Sequence, residues 1–465
     1  MSKQFRNCDL NQSLLLPPSL QDWLPERHLA RFVAEVVDTM ELSELYGKHE
    51  ERDGRGQAAY DPRMMMRVLI YGYCRGVASS RRIEKATYED VAFRYLAADD
   101  QPDHSVIAAF RRENLKYLPQ LFEQVLRLCQ RAGLVKLGHV ALDGTKMKAN
   151  ASKHKAMSYG RMEEAEKKLE EEVKALLAEA ERVDAEEDGK YGKGKRGDEL
   201  PAELARRESR LKKIREAKAA LEQEAREQAA AEKARVEAQL QEREKQEQER
   251  GRKFGGRKPE VPEPEQAQPD PKAQRNFTDP DSRIMKDGAT KEFVQAYNAQ
   301  AAVDSAAQVI VAAAVTQQAN DKQQLAPMLE QVKAMTGSQP EQATADAGYF
   351  SEKSVTDPNL QGMDLFVPPD RQKHGEAAPC ATGPPPPELS VIEQMRHKLR
   401  TPQGRAVYRM RKAVVEPVFG QIKECRGFRR FLLRGLTRVQ AEWQMICATH
   451  NLLKLFHSGW QPQSA

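Results

Sequence analysis

Between Arg161 and Gly251 the chain consists almost entirely of Ala, Glu, Lys, Arg and Gln, with no proline from Arg161 to Leu200. Such residues lose little side-chain freedom in a helix and bury little, so the stretch can make long solvated helices but no core of its own. A Gly- and Lys-rich break from Asp188 to Gly197 divides it and predicts an antiparallel pair of helices. The second arm, about 50 residues, would be roughly 75 Å long if unbroken. Apolar residues are sparse from Glu222 to Arg250, so that end is expected to fray or to need a partner. The Gly-Lys-Gly-Lys in the break is no phosphate loop, because the Gly-x4-Gly-Lys-Ser/Thr spacing and flanking strand are absent. The core must therefore come from the two flanks, and a domain that begins before the hairpin must resume after it.

The 465 residues leave room for two or three domains. A hydrophobic share of 40% suffices for a core, and the mean hydropathy of -0.74 reflects dilution by the solvated stretch. The six cysteines are scattered, with no Cys-x-x-Cys pair or zinc-like Cys/His spacing, and are expected to be reduced thiols. The N-terminus lacks an apolar signal region and no run approaches the ~18 apolar residues of a membrane span. A cytoplasmic protein without membrane contact is expected.

Residues 1–135 read as a helical domain. Leu29 to Val37 has helical apolar spacing, and Asp61-Pro62 marks a helix start before Met64 to Tyr73. Further helices begin near Ser79 and Asp103, carrying Arg81, Arg82, Arg111 and Arg112 as candidate DNA-recognition residues. Residues 136–160 begin a second domain, 161–251 form the hairpin, 252–275 a flexible linker rich in Gly and Pro, and 276–457 the remainder, with a mobile loop at 370–390 and a tail at 458–465. Phe293–Asp304 and Gln308–Thr316 read as paired strands around a turn at Asp304-Ser305. Asn320-Asp321 is expected to cap the helix containing Leu325 and Leu329, and short strands lead to Asp346 and span Asp364–Pro368.

Three carboxylates stand out. Asp143 ends the apolar run His139–Leu142, Asp346 lies in Thr344-Ala345-Asp346-Ala347-Gly348-Tyr349, and Glu416 follows Val414 and Val415. Each aspartate alone reads more simply as a turn, whereas a carboxylate among apolar neighbours calls for a partner or a metal. A mixed sheet would bring two strand ends together and let a packed helix aim Glu416 at them. Three such groups suit Mg²⁺, or Mn²⁺ in its place, as two ions about 3.5–4 Å apart serving an in-line displacement at phosphorus. Asp304 and Asp321 compete, but turn and cap roles account for them. From Arg396 to Arg438 there are thirteen Lys or Arg against two acids, Glu416 and Glu424. The imbalance makes Tyr408, Arg409, Arg411, Lys412, Lys423, Arg426, Arg429 and Arg430 candidates for binding DNA phosphate.

At these residues the chain resembles the DDE transposases of bacterial insertion sequences. The resemblance is carried by Asp103 to Arg111, Leu142-Asp143-Gly144-Thr145, Thr344 to Phe350, and Val415-Glu416-Pro417-Val418-Phe419-Gly420-Gln421-Ile422-Lys423. The last is the most specific: Lys423 follows Glu416 by seven residues, as in the family's Tyr-Arg-Glu-Lys pattern. Tyr408 lies eight residues before Glu416 rather than seven, and Lys412 stands four before it, with Arg411 adjacent. That departure leaves the roles of Tyr408, Arg411 and Lys412 open. The resemblance implies an α/β ribonuclease-H-like core, a mixed sheet with flanking helices, interrupted by the helical hairpin and preceded by the all-helical domain. It also implies a DNA transposase using Asp143, Asp346 and Glu416 to hold Mg²⁺, acting on terminal inverted repeats and target DNA, and expected to work as a homodimer. The alternatives are a catalytically silent DNA-binding protein derived from a transposase and a helical scaffold protein.

Overall fold

The computed structural model describes residues 19–50, 59–191, 202–252, 255, 259–288, 290–371 and 379–462. Cys8, the tip of the hairpin at 192–201 and residues 372–378 of the expected loop lie outside them. Among the described residues, the N-terminal part comprises α1 (Leu29–Asp38), α2 (Ser43–Glu50), α3 (Pro62–Cys74), α4 (Ser80–Glu89), α5 (Val91–Leu96), α6 (His104–Glu113) and α7 (Tyr117–Arg131). The expected caps are present: Asp61 accepts from Met64 N at 2.9 Å and Asp103 from Ser105 N at 2.7 Å.

The core that follows is a six-stranded sheet. Its strands are β1 (His139–Lys148), β4 (Arg283–Lys286), β5 (Phe293–Asp304), β6 (Ile310–Thr316), β7 (Gln342–Thr344) and β8 (Asp364–Phe366). Strand β5 pairs antiparallel with β1 on one edge, and with β4 and then β6 along the other. On its far side β1 runs parallel to β7, and β7 parallel to β8. The order β6-β5-β1-β7-β8, antiparallel on one side of β1 and parallel on the other, is the ribonuclease-H-like arrangement. Helices α10 (Leu325–Thr336), α11 (Glu352–Val355), α12 (Val391–Arg400), α13 (Pro402–Gly420) and α14 (Leu436–His457) complete this part.

Asp143 does not end its strand. An Asp-Gly pair favours a turn, yet Gly144 to Lys148 keep antiparallel partners on β5, from Gln300 to Ala296. The missing side chain explains why glycine is accepted there: a Cβ on Gly144 would lie 2.4 Å from Gln300 Nε2.

Helix α14 joins the helical N-terminal part to the sheet. It packs against α3 and α7 and also against β6. The thiols of Cys74 and Cys129 donate to the carbonyls of Thr449 and Asn451 on it. One continuous hydrophobic cluster runs from Leu24 through α1, α3 and α7 to the sheet and Leu455. A fragment of residues 1–135 would expose the apolar surfaces that α14 covers. We expect it to lack a cooperative thermal transition by circular dichroism, and a sharp melt near that of the whole protein would refute this.

The hairpin is the expected pair, α8 (Tyr159–Tyr191) and α9 (Ala202–Arg250). Its base packs through Tyr159, Met162, Leu169, Leu211, Ile214 and Leu221, and its mouth is closed by β2 (Ala156–Ser158) pairing antiparallel with β3 (Gln274–Asn276). Part of the expected flexible linker 252–275 packs on the hairpin, because the chain returns along α9. A 3₁₀ turn, Pro264–Gln266, packs on that helix, and Arg275 pairs with Glu224. The polar far half of α9 thus finds its partner in the returning chain. In the loop expected at 370–390, the described residues 379–389 are irregular, and Ser390 and Glu393 form a capping box that starts α12.

Candidate active site

The register of β1 and β7 builds the centre. The parallel ladder ends at Ala141 and Thr344. Asp143 and Asp346 each lie two residues beyond that last pair, so the two-residue period of a strand puts both on one side of adjacent chains. Asp346 then caps a 3₁₀ turn, accepting from Gly348 N at 2.8 Å.

Asp143 is half-buried, and Arg411 of α13 donates to its Oδ2 at 3.1 Å. Burial pushes its carboxyl up to about 6; Arg411 opposes the rise, while the charges of Asp346 and Asp321 add to it. Arg411 stands three residues after the half-buried Tyr408, whose ring lies 6.0 Å from the guanidinium. Of Arg411 and Lys412, Arg411 contacts Asp143 and Lys412 is exposed.

A proline sits inside α13. Pro417 cannot donate to Ala413 O, and that carbonyl accepts instead from Gln308 Nε2 at 2.9 Å. Past Gly420 the helix loosens into a π turn, Gln421–Cys425. From that turn Lys423 reaches β1, donating to Thr145 Oγ1 and, at 3.1 Å, to Lys146 O. Next, Phe431 N donates to Lys148 O at 2.9 Å and Lys148 N to Arg429 O at 3.2 Å, pinning the basic segment beside the end of β1.

Glu416 is exposed on α13. Its valine neighbours in sequence face the core while it faces outward, so they do not oblige it to find a partner or a metal. The side chains whose charges shift Asp143 are Arg411, Asp346 and Asp321, not Glu416. Asp321, expected as a cap, does not cap α10, whose N-cap is Gln324. Its Oδ1 accepts from Asn298 Nδ2 and Gln300 Nε2, both at 2.6 Å. The sequence signal for this was available in the alternation Asn298-Ala299-Gln300, which sets two amides on one face of β5.

Three basic residues expected at a DNA surface are interior, Arg111, Arg411 and Arg426, and Arg411 is turned to Asp143. Arg111 donates to Tyr73 Oη and Ala78 O, and Arg426 to Thr449 Oγ1 and Ile446 O. Arg111, Arg411 and Arg426 are 9%, 8% and 6% exposed, out of reach of a DNA backbone. Arg81, Arg82, Arg112, Arg409, Arg429 and Arg430 are exposed. A cavity of about 570 Å³ opens beside Gly144, lined by Lys146, Lys148, Lys286, Arg371, Lys423 and Arg429 against Asp287, Asp321 and Glu424. Its basic majority and its position next to the paired aspartates suit a phosphate backbone.

Among the described residues, one group of three acidic or histidine side chains has ligand atoms within 4.8 Å of one another: Glu84, Asp103 and His104. Its contacts have a local explanation, since Asp103 caps α6 and His104 Nδ1 lies 2.9 Å from Glu84 Oε2. Asp143, Asp346 and Glu416 do not meet that closely. Among the described residues, no helix is long and apolar enough to cross a membrane.

Residues 18–113 match the family described as a transposase domain (DUF772), and residues 387–456 match the transposase DDE domain. The first spans α1 to α6 and the second α12 to α14. No curated protein and no solved structure matches the chain.

Proposed function

We propose that this chain, a DDE transposase of an insertion sequence by its family matches, binds the terminal inverted repeats of its element, cleaves a DNA strand there with Mg²⁺, and joins the freed 3′ end to target DNA. The observation that carries the reading is the shared register of Asp143 and Asp346 two residues past the last parallel pair. Their oxygen-only donor set fits Mg²⁺, with Mn²⁺ as substitute, and Glu416 is assigned as the third ligand of a two-ion site. Metal bound there supplies polarisation of the scissile phosphate and an activated water. Arg411 balances the Asp143 carboxylate within the protein and holds it in place. Lys423, Arg409, Lys412, Arg429 and Arg430 hold the backbone, and Arg81, Arg82 and Arg112 on α4 and α6 contact the repeats. Two copies would hold the two ends of the element.

The test is cleavage of DNA carrying the element's ends by the full-length protein with Mg²⁺ or Mn²⁺. Ala at Asp143, Asp346 or Glu416 should each abolish cutting and leave binding intact; undiminished cutting removes that residue from the mechanism. Lys423→Ala should weaken binding of every DNA sequence alike and reduce the salt dependence by about one phosphate contact. An unchanged slope of log affinity against log salt would show that Lys423 only braces β1.

A further inference from the structure

The interactions of Asp321 exceed what its position before α10 requires. Its Oδ1 is held by two amides, Asn298 and Gln300, which are themselves fully buried. They come from alternate positions of β5, opposite Lys146 and Gly144 of β1. Gln300 also accepts the hydroxyl of Tyr349, three residues beyond Asp346. One network thus ties Asp321 to both aspartate-bearing segments. The Oδ2 of Asp321 is directed to the same place as Asp346: a Cβ on Gly348 would lie 3.5 Å from Asp321 Oδ2 and 2.9 Å from Asp346 Oδ1. The charge of Asp321 is felt by Asp143, Lys146 and Tyr349.

A second observation is independent of the carboxylates. Asn298 Nδ2 donates to Asp321 and, at 3.1 Å, to Gln318 O, which uses both its hydrogens and fixes the amide's orientation. The opposite atom, Asn298 Oδ1, is buried and has no hydrogen-bond partner among the described residues. It lies 3.0 Å from the point a Gly144 Cβ would occupy, with Asp321 Oδ1 2.9 Å from that point. Gly144 and Asp321 line the basic cavity. A buried acceptor left without a donor is unfavourable, and water polarised by a cation is a donor that would satisfy it.

We propose that Asp321 is a fourth acidic residue of the catalytic centre. It binds, directly or through water, the divalent cation that Asp143 and Asp346 hold, and Asn298 Oδ1 accepts a hydrogen bond from that cation's water shell. The inference rests on the metal-dependent reading of the paired aspartates given above.

Asp321→Asn tests it, because the asparagine keeps an acceptor for both amides while losing the charge. Mn²⁺ binding by the full-length protein is measured by isothermal titration calorimetry, alongside melting of the metal-free protein. Asp321→Asn should weaken Mn²⁺ binding about tenfold or more and leave the metal-free melting temperature within about 2 °C. If it melts lower, Asp321→Ser, which admits a water between the amides, replaces it. Mn²⁺ affinity within twofold of wild type overturns the proposal, even if cleavage falls, because Asp321 would then only brace the network. Asp143→Asn separates the two levels of inference. If it binds Mn²⁺ like wild type, the metal-dependent reading fails. If it loses Mn²⁺ while Asp321→Asn keeps it, the Asp321 assignment alone fails.

Discussion

Changing Asp143 to Asn is expected to reduce Mg²⁺-dependent strand cleavage by a factor on the order of 10³ or more, with DNA binding by the full-length protein unchanged. The loss would come from the centre and not from misfolding. The substituted amide has one acceptor oxygen, so it keeps one of the two bonds that Asp143 makes now, from Arg411 to Oδ2 or from Gly144 N to Oδ1. The change also removes a negative charge from a half-buried position. Asp346→Asn should act likewise, since its Oδ1 bond to Gly348 N needs only an acceptor. Cleavage and band shift are measured on the same preparation. Cleavage by Asp143→Asn within tenfold of wild type would take the β1 carboxylate out of the chemistry.

The second large effect is a pH dependence whose sign follows from the same residue. Burial raises the Asp143 carboxyl from an ordinary 3.8 to about 6, against the pull of Arg411. Between those values the folded protein keeps a proton that the unfolded chain releases. The contribution of this group to stability is therefore most favourable below 3.8 and falls by up to about 3 kcal/mol as pH rises through 6. A cation needs the ionised form and offsets that loss. Saturating Mn²⁺ should thus raise the melting temperature by several degrees at pH 7.5 and by less than half as much at pH 5.5. Equal shifts at the two pH values would show that Asp143 does not ionise on binding metal. Asp143→Asn should remove both the shift and its pH dependence.

The elements with strong local signals were legible in the sequence. The Asp61 and Asp103 caps, the β5–β6 pair and the two-helix insertion follow from caps, alternation and composition, and each is local. What was not legible depends on pairing between distant segments. Asp143-Gly144 looks like a turn until β5, some 150 residues later, supplies partners for the rest of the strand. Asp321 looks like a cap because the amides that engage it lie on another strand. Arg111 and Arg426 read as surface charge, since sequence does not show that α14 and its neighbours enclose them. Part of the expected linker packs on α9, a surface that sequence alone does not show. For Glu416, helical periodicity alone separates it from its valine neighbours, and applying that period places it on the outer face.

The strands that open and close the hairpin pair with one another, Ser158 opposite Gln274. The width of the insertion's mouth is therefore one interstrand spacing, about 4.8 Å, however long the arms beyond it. Residues added or removed in matched turns toward the tip leave both aspartates in place. The arm's length is in this sense a parameter that evolution can adjust independently of the chemistry, and it is the natural place for related chains to differ in size.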